Sequence, residues 1–279
     1  MIAHAPVSAP PTHAADRFVV VNGARLRLRD EGRGPAVLLL HGWTLDLEMW
    51  EPLVGVLRDR FRLIRFDRRG HGLSGGTPAP ERDGADLGAL CERLELPRVA
   101  LLGMSQGARA ALGFACSAPG RVQALILDGP PPLDSAADPE VALERYAALV
   151  RAHGIEAFRR EWSRHPLMQL RTQDPEAQAL LAALLARYPG NDLAQPALRV
   201  ELAPARLALE SLRVPTLVLS GEYDLASRRA AAEALTARLP EAELAVIPAA
   251  GHLPSLDNPN AYGRLCREFL ARHCPRDPF

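Results

Sequence analysis

Apolar and polar positions alternate along this chain in two periods. Nearly continuous apolar runs head the segments PAVLLLHG (35–42), RLIRFDRRGHGLSGG (62–76), RVALLGMSQGARAALGFACSAPG (98–120), RVQALILDGPPP (121–132), VPTLVLSGEYD (214–224) and AELAVIPAAGH (242–252). Runs this short, each closed by Gly, Asp or Pro, suit strands buried on both faces. Ahead of them, RFVVVNG (17–23) and ARLRLRDEG (24–32) are β-branched or alternating and meet at Asn22-Gly23, a strong hairpin turn. Helical spacing occupies WEPLVGVLRDRF (50–61), DGADLGALCERLEL (83–96), SRRAAAEALTARL (227–239) and NPNAYGRLCREFLARH (258–273). Strands alternating with helices predict the α/β class, with a mostly parallel central sheet, helices on both faces and right-handed crossovers.

The rhythm breaks between 133 and 212, a helical, Ala/Leu/Arg-rich stretch interrupted by Pro and without a strand candidate. The division expected is a poorly ordered leader over 1–16, a core built from 17–132 and 213–274, and a helical insertion over 133–212. Such an insertion would sit above the strand ends, where open α/β sheets bind ligands.

Composition narrows the function. The chain has 279 residues, 48% of them hydrophobic, with 33 basic and 33 acidic side chains and no net charge. That balance argues against a nucleic-acid binder or a polybasic membrane-surface protein. Every basic residue is Arg, so Schiff-base lysine chemistry and a Walker-type phosphate lysine are excluded. The longest apolar runs are too short to span a bilayer. The N-terminal MIAHAPVSAPPTHAADR lacks the basic start and apolar core of a signal peptide. Cys91, Cys116, Cys266 and Cys274 show no metal-ligand spacing and read as free thiols of a cytoplasmic protein. A homodimer is allowed, but nothing in the sequence argues for one.

The sharpest chemical signal is Gly103-Met104-Ser105-Gln106-Gly107, which follows the strand RVALL and opens a small-residue helix. A nucleophile on so tight a strand-to-helix turn needs glycine on both sides, and the turn lifts its Oγ clear of the sheet. An ordinary serine is a weak nucleophile and needs a base, oriented in turn by an acid. His252, directly after the last strand, is the expected base. His41 and His71 fall in Gly-flanked loops and are expected to be structural. Two acids end strands on the same edge, Asp224 and Asp128; the order Ser, Asp, His favours Asp224 and leaves Asp128 as the alternative. Two backbone N–H groups are needed for the oxyanion, and the Gln106 and Trp43 amides are expected to supply them.

These segments resemble the α/β-hydrolase superfamily from about residue 17 to 273. The motifs LLLHGW, FDRRGHGLS, GMSQG, LSGEYD and AAGH carry the resemblance, in the order that family shows. The resemblance implies catalytic Ser105, Asp224 and His252, oxyanion donors at Trp43 and Gln106, and neither metal nor cofactor. It makes the 133–212 insertion a helical lid after the sixth strand, and Asp67 to Ser74 a structural loop under the site. HG followed by Trp is similar to the group of enol-lactonases, haloperoxidase-type esterases and C–C hydrolases. Aspartate-nucleophile dehalogenases and epoxide hydrolases are disfavoured by Ser105.

Substrate contacts are expected from the insertion. Phe158 and Trp162, four residues apart, share one helical face, and Leu167 and Met168 follow. That face either packs the insertion onto the sheet or forms an apolar ceiling over Ser105, with Phe158, Trp162 and Met168 as the binding candidates. Arg159, Arg160 and Arg164 are read as a solvated face unless one turns inward to a carboxylate. The expected activity is hydrolysis of a small carboxylic ester or lactone through an acyl-enzyme. A C–C hydrolase or thioesterase using the same triad, or a small-molecule sensor on this fold, are the alternatives.

Overall fold

The computed structural model describes residues 14–133, 138, 140–194 and 208–275. Eight strands form one sheet: β1 (Arg17–Val21), β2 (Ala24–Glu31), β3 (Ala36–Leu40), β4 (Arg62–Phe66), β5 (Val99–Met104), β6 (Val122–Asp128), β7 (Thr216–Gly221) and β8 (Ala242–Ile247). Their order is β1-β2-β4-β3-β5-β6-β7-β8. β1 and β2 pair antiparallel around Asn22-Gly23, both at positive φ, as the hairpin signal requires. β2 also runs antiparallel to β4, and every remaining pair is parallel.

The two-residue period of the strands feeds two separate cores. Val37, Leu39, Ala100, Leu102, Ala124 and Ile126 enter one apolar cluster, while Leu38, Leu40, Leu101, Leu125 and Leu127 enter the other. Helices α1 (Glu51–Leu57), α2 (Asp83–Arg93) and α3 (Gln106–Ser117) follow β3, β4 and β5. α1 covers the first face, with Leu53, Val54 and Leu57 in its cluster; α2 and α3 cover the second through Leu87, Leu90, Leu112 and Phe114.

Between β6 and β7 the described residues form α4 (Leu143–His153), α5 (Ile155–Trp162), α6 (Pro175–Arg187) and the single turn α7 (Asn191–Ala194). After β7 come α8 (Ala226–Arg238), the short α9 (Pro254–Asp257) and α10 (Pro259–His273). α8 joins the second face through Leu235, and α10 joins the first through Tyr262, Cys266, Phe269 and Leu270. Of the expected leader, residues 1–13 lie outside the described residues, as do 134–137, 139 and 195–207 of the expected insertion. Asp16, the leader's last residue, accepts hydrogen bonds from Arg27 (2.8 Å) and Arg29 (2.7 Å) of β2. The helical reading of 50–61 begins earlier and ends sooner: a 3-10 turn over Leu47–Trp50 precedes α1, because the Asp46 carboxylate caps it by accepting from the Glu48 amide at 2.9 Å.

Candidate active site

The turn from β5 into α3 leaves no space for side chains other than those present. A Cβ on Gly103 would meet the Gly107 carbonyl oxygen at 2.2 Å, and one on Gly107 would meet the Leu40 carbonyl oxygen at 2.2 Å. Ser105, between them, holds φ +53 and ψ −114, a backbone state that costs roughly 1–3 kcal/mol and persists only where its surroundings enforce it. Here they do. The Ser105 amide donates to the Asp128 carbonyl at 2.8 Å, and the Ser105 carbonyl accepts from Ala108 at 2.9 Å and Arg109 at 3.2 Å.

β7 and β8 deliver the second half of the site on the same sheet edge. Asp224 follows β7, its amide donating to the Gly221 carbonyl at 3.1 Å. Its Oδ2 lies 2.9 Å from His252 Nδ1, with both side chains buried. The other carboxylate oxygen accepts from the Leu225 amide at 2.7 Å, which fixes the group's orientation. A carboxylate at that distance accepts Nδ1–H and leaves Nε2 as the imidazole's proton acceptor. Gly129, at φ +51, packs flat against this pair: a Cβ there would stand 3.0 Å from His252 Cε1 and 3.5 Å from Asp224 Oδ2.

Asp128 goes elsewhere. Its carboxyl is fully buried beside the Tyr262 hydroxyl and the Cys266 thiol, and no hydrogen bond joins it to His252 among the described residues. Burial first, and then the charge of Asp224, hold it well above the usual carboxylate range, with Tyr262 opposing. Of the two candidates, only Asp224 is brought to the imidazole.

The loop after β3 closes over the serine. A Cβ on Gly42 would come within 2.6 Å of Met104 Sδ and 3.5 Å of Ser105 Cβ, so glycine is what lets this loop approach. Neither the Trp43 nor the Gln106 amide donates to a backbone carbonyl among the described residues. Thr44 holds φ +65, a genuine outlier for a β-branched residue. His41 is consumed structurally: Nδ1–H donates to the Gly42 carbonyl at 2.7 Å and Nε2 accepts from the Arg68 amide at 2.9 Å. Burial, followed by His71 and Arg68, holds its pKa well below the ordinary histidine value. Asp67 is equally committed, accepting from the Leu47 and Leu73 amides at 2.8 Å each.

The segment between β6 and β7 lies against both loops. The Arg171 and Thr172 amides donate to Asp257 Oδ1 at 2.6 and 3.1 Å, while the Gly251 amide, next to His252, donates to the same carboxylate at 2.7 Å. Phe158 and Trp162 stack with centroids 6.0 Å apart and 12° between planes; with Leu167 and Met168 they are buried in the first-face cluster. Trp43 sits edge-on to Phe158 and Trp162, at 5.7 and 4.9 Å. Arg159 donates to the Tyr188 carbonyl at 2.6 Å, tying α5 to the end of α6, while Arg160 and Arg164 are exposed. Arg109 donates to the Pro132 carbonyl at 2.7 Å. Among the described residues, no group of three or more His, Cys, Asp or Glu side chains is arranged to hold a metal ion. The four cysteines are free, and no described helix is long and apolar enough to cross a membrane.

Three participants escape sequence reading. Gly129 carries a faint signal, an Asp-Gly at a strand end. Thr44 and Asp192 carry none, since a positive φ at threonine and a contact across 149 residues have no local signature.

A family model describing the alpha/beta hydrolase fold matches residues 35–259. The chain is 33% identical, over 86% of its length and 96% of the relative's, to a pimeloyl-(acyl-carrier protein) methyl ester esterase of Pectobacterium atrosepticum. It is 30% identical, over 91% of its length and 97% of the relative's, to a Bacillus subtilis protein provisionally named 2-succinyl-6-hydroxy-2,4-cyclohexadiene-1-carboxylate synthase. Among solved structures, a thermophilic esterase from Thermogutta terrifontis superposes with a TM-score of 0.79 at 30% identity, covering 94% of this chain and all of that one.

Proposed function

Because the chain belongs to the α/β-hydrolase family, whose likenesses here include two esterases, we propose that it is a serine hydrolase of small carboxylic esters or lactones. One observation carries the reading. A serine held at φ +53 on a glycine-walled turn shares a sheet edge with a buried histidine whose Nδ1 lies 2.9 Å from an aspartate. Ser105 is the nucleophile, His252 the base and Asp224 the group that orients it.

In the first half-reaction Ser105 Oγ attacks the carbonyl carbon as His252 Nε2 takes the hydroxyl proton. The Trp43 and Gln106 amides donate to the developing oxyanion; a single donor of this kind supplies about 3–4 kcal/mol of transition-state stabilisation. Collapse breaks the bond to the leaving alkoxide, which receives the proton from His252. Water, deprotonated by His252, then attacks the acyl-enzyme, and Ser105 leaves with that proton. Asp224 keeps Nδ1 protonated throughout and stabilises the imidazolium formed in each half.

The segment 133–212 serves as the lid, because residues 169–172 rest on the His252 loop and α5 on the Trp43 loop. Phe158, Trp162 and Met168 act through it as the apolar wall of the acyl site. Four free thiols fit a cytoplasmic setting. A second reading is favoured by the Bacillus subtilis likeness, whose name is that of a synthase: the same three residues serving a reaction other than ester hydrolysis.

The test is labelling by a fluorophosphonate alongside turnover of p-nitrophenyl acetate. Wild type should label stoichiometrically and hydrolyse the ester, and Ser105→Ala should lose both, with at least a 10⁴-fold fall in kcat. Equal labelling or turnover in Ser105→Ala rejects the hydrolase. Labelling with no turnover of any ester, lactone or thioester favours the second reading.

A further inference from the structure

The loop that carries Trp43 is held by the core at its ends, and three further anchors between them belong to the insert. Trp43 Nε1–H donates to Asp192 Oδ2 at 2.6 Å, and the Tyr188 hydroxyl donates to the other oxygen of that carboxylate. Trp162 Nε1–H donates to Thr44 Oγ1 at 2.9 Å, with both groups buried. Arg187 donates to both oxygens of Asp46, at 2.5 and 3.0 Å. Three consecutive features of one short loop are thus fastened to α5, α6 and α7: the Trp43 indole, the Thr44 hydroxyl and the Asp46 carboxylate. The indole is further enclosed by the Tyr146, Phe158, Trp162 and Tyr188 rings, all from the insert. The core holds the two ends of the loop, through the Arg68 amide on His41 Nε2 at 2.9 Å and the Leu47 amide on Asp67 at 2.8 Å, whereas the stretch between them closes on itself through a 3.4 Å bond from the Leu45 amide to the Gly42 carbonyl.

We infer that Asp192 and Trp162 are positioning residues for the oxyanion hole, so that the insert shapes the catalytic geometry as well as covering the substrate. The inference rests on the hydrolase reading and deepens it. Thr44 at φ +65 is the pivot. A threonine released from its anchor returns to negative φ, which rotates the Trp43–Thr44 peptide and carries the Trp43 backbone with it. The Trp162 bond holds the threonine, and the Asp192 bond holds the indole on the other side of the same peptide. With both in place the Trp43 N–H keeps one direction; with either gone, it shares its time among several. Misplacement of a reacting group by about 1 Å costs on the order of 100-fold in rate.

The consequence is a hole that exists only when the insert is docked. A substrate that displaces α7 or α5 would disassemble the donor it needs, and one that fits beneath them would find it ready.

The experiment uses Trp43→Phe, which keeps a ring but removes its N–H, and Asp192→Leu, which keeps the branched shape of the side chain but removes its acceptor oxygens. Turnover of p-nitrophenyl acetate is expressed per serine labelled at the end point by fluorophosphonate, so an unfolded fraction is not counted. Each variant should lose about 10- to 100-fold in kcat with KM within about threefold of wild type. The double variant should be no slower than the worse single one, because both changes cut one bond. Affinity for a trifluoromethyl ketone, whose serine adduct places an oxyanion in the hole, should fall in parallel with kcat, and affinity for the matching methyl ketone should not. Unchanged kcat in both variants, additive losses, or a kcat loss with trifluoromethyl ketone affinity intact overturns the inference and leaves the hydrolase standing. Retained turnover in Ser105→Ala overturns the hydrolase reading and takes the inference with it.

Discussion

Two carboxyls stand at the ends of neighbouring strands, and the fold gives them different partners. Asp224 accepts from His252 Nδ1–H and from the Leu225 amide. Asp128 has no comparable donor set and is pushed toward the neutral form by burial and by Asp224 itself. Substitution should therefore separate them. Asp224→Asn removes the acceptor that fixes the imidazole tautomer, and kcat should fall on the order of 10⁴-fold. Asp128→Asn keeps the shape of a side chain that makes no hydrogen bond to His252 among the described residues, and kcat should stay within about threefold of wild type. Steady-state kinetics of the purified pair decides it: a larger loss in Asp128→Asn would make that residue the working acid. Residue order alone favoured Asp224, because the acid of such a site follows the serine and precedes the histidine. What sequence could not supply was where Asp128 sits, buried beside the tyrosine and thiol of α10 with no hydrogen bond to His252 among the described residues.

At the scale of elements, strands and helices were legible because each obeys a local rule, whether apolar continuity, 3.6-residue spacing or a glycine stop. Loops were legible only in part. The glycines of 70–76 marked a loop after β4, but the carboxylate inside it could be understood only with its partners. Asp67 accepts from the Leu47 and Leu73 amides and so staples the loop after β3 to the loop after β4. Burial, and next the Asp46 charge, push its pKa up to about 7, against the two amide bonds and Arg27. In the unfolded chain the same carboxyl titrates near 4. Between those values the folded protein holds a proton that the unfolded chain has released, so this residue's contribution to stability declines as pH rises through the window. Urea unfolding of wild type and Asp67→Asn at several pH values isolates the effect. From pH 5 to pH 8 the wild type should lose roughly 2–3 kcal/mol relative to the variant, whose amide does not titrate. A difference that stays constant with pH would mean that Asp67 is ionised throughout.

The whole molecule turns on whether the insert is a separate body. Composition and strand rhythm suggested a core interrupted by a helical stretch, which invites a picture of two parts with a hinge. The contacts support a different picture. Tyr146, Phe158, Trp162, Leu181, Leu184 and Tyr188 of the insert belong to the same apolar cluster as Val37, Leu39, Leu102, Ile126 and Phe269 of the sheet and α10. The burial that stabilises the insert is therefore also what covers one face of the sheet, and neither can expose its half without exposing the other's. At roughly 25 cal/mol per Å² of apolar surface, uncovering even a few such side chains costs several kcal/mol, a large share of a domain's net stability. Half-buried ion pairs such as Arg187 with Asp46 add directional ties across the same seam. The chain supplies its own reporters. Its three tryptophans, Trp43, Trp50 and Trp162, all lie in or against this cluster, one of them in the insert and two in the loop and 3-10 turn after β3. Tryptophan fluorescence therefore follows the seam, whereas far-ultraviolet circular dichroism follows all the helices and strands. Under urea the two signals should trace one transition with a common midpoint, because seam and sheet open together. A fluorescence midpoint at lower urea, with the dichroism unmoved, would show the insert releasing before the core, and the picture of one cooperative body would fall.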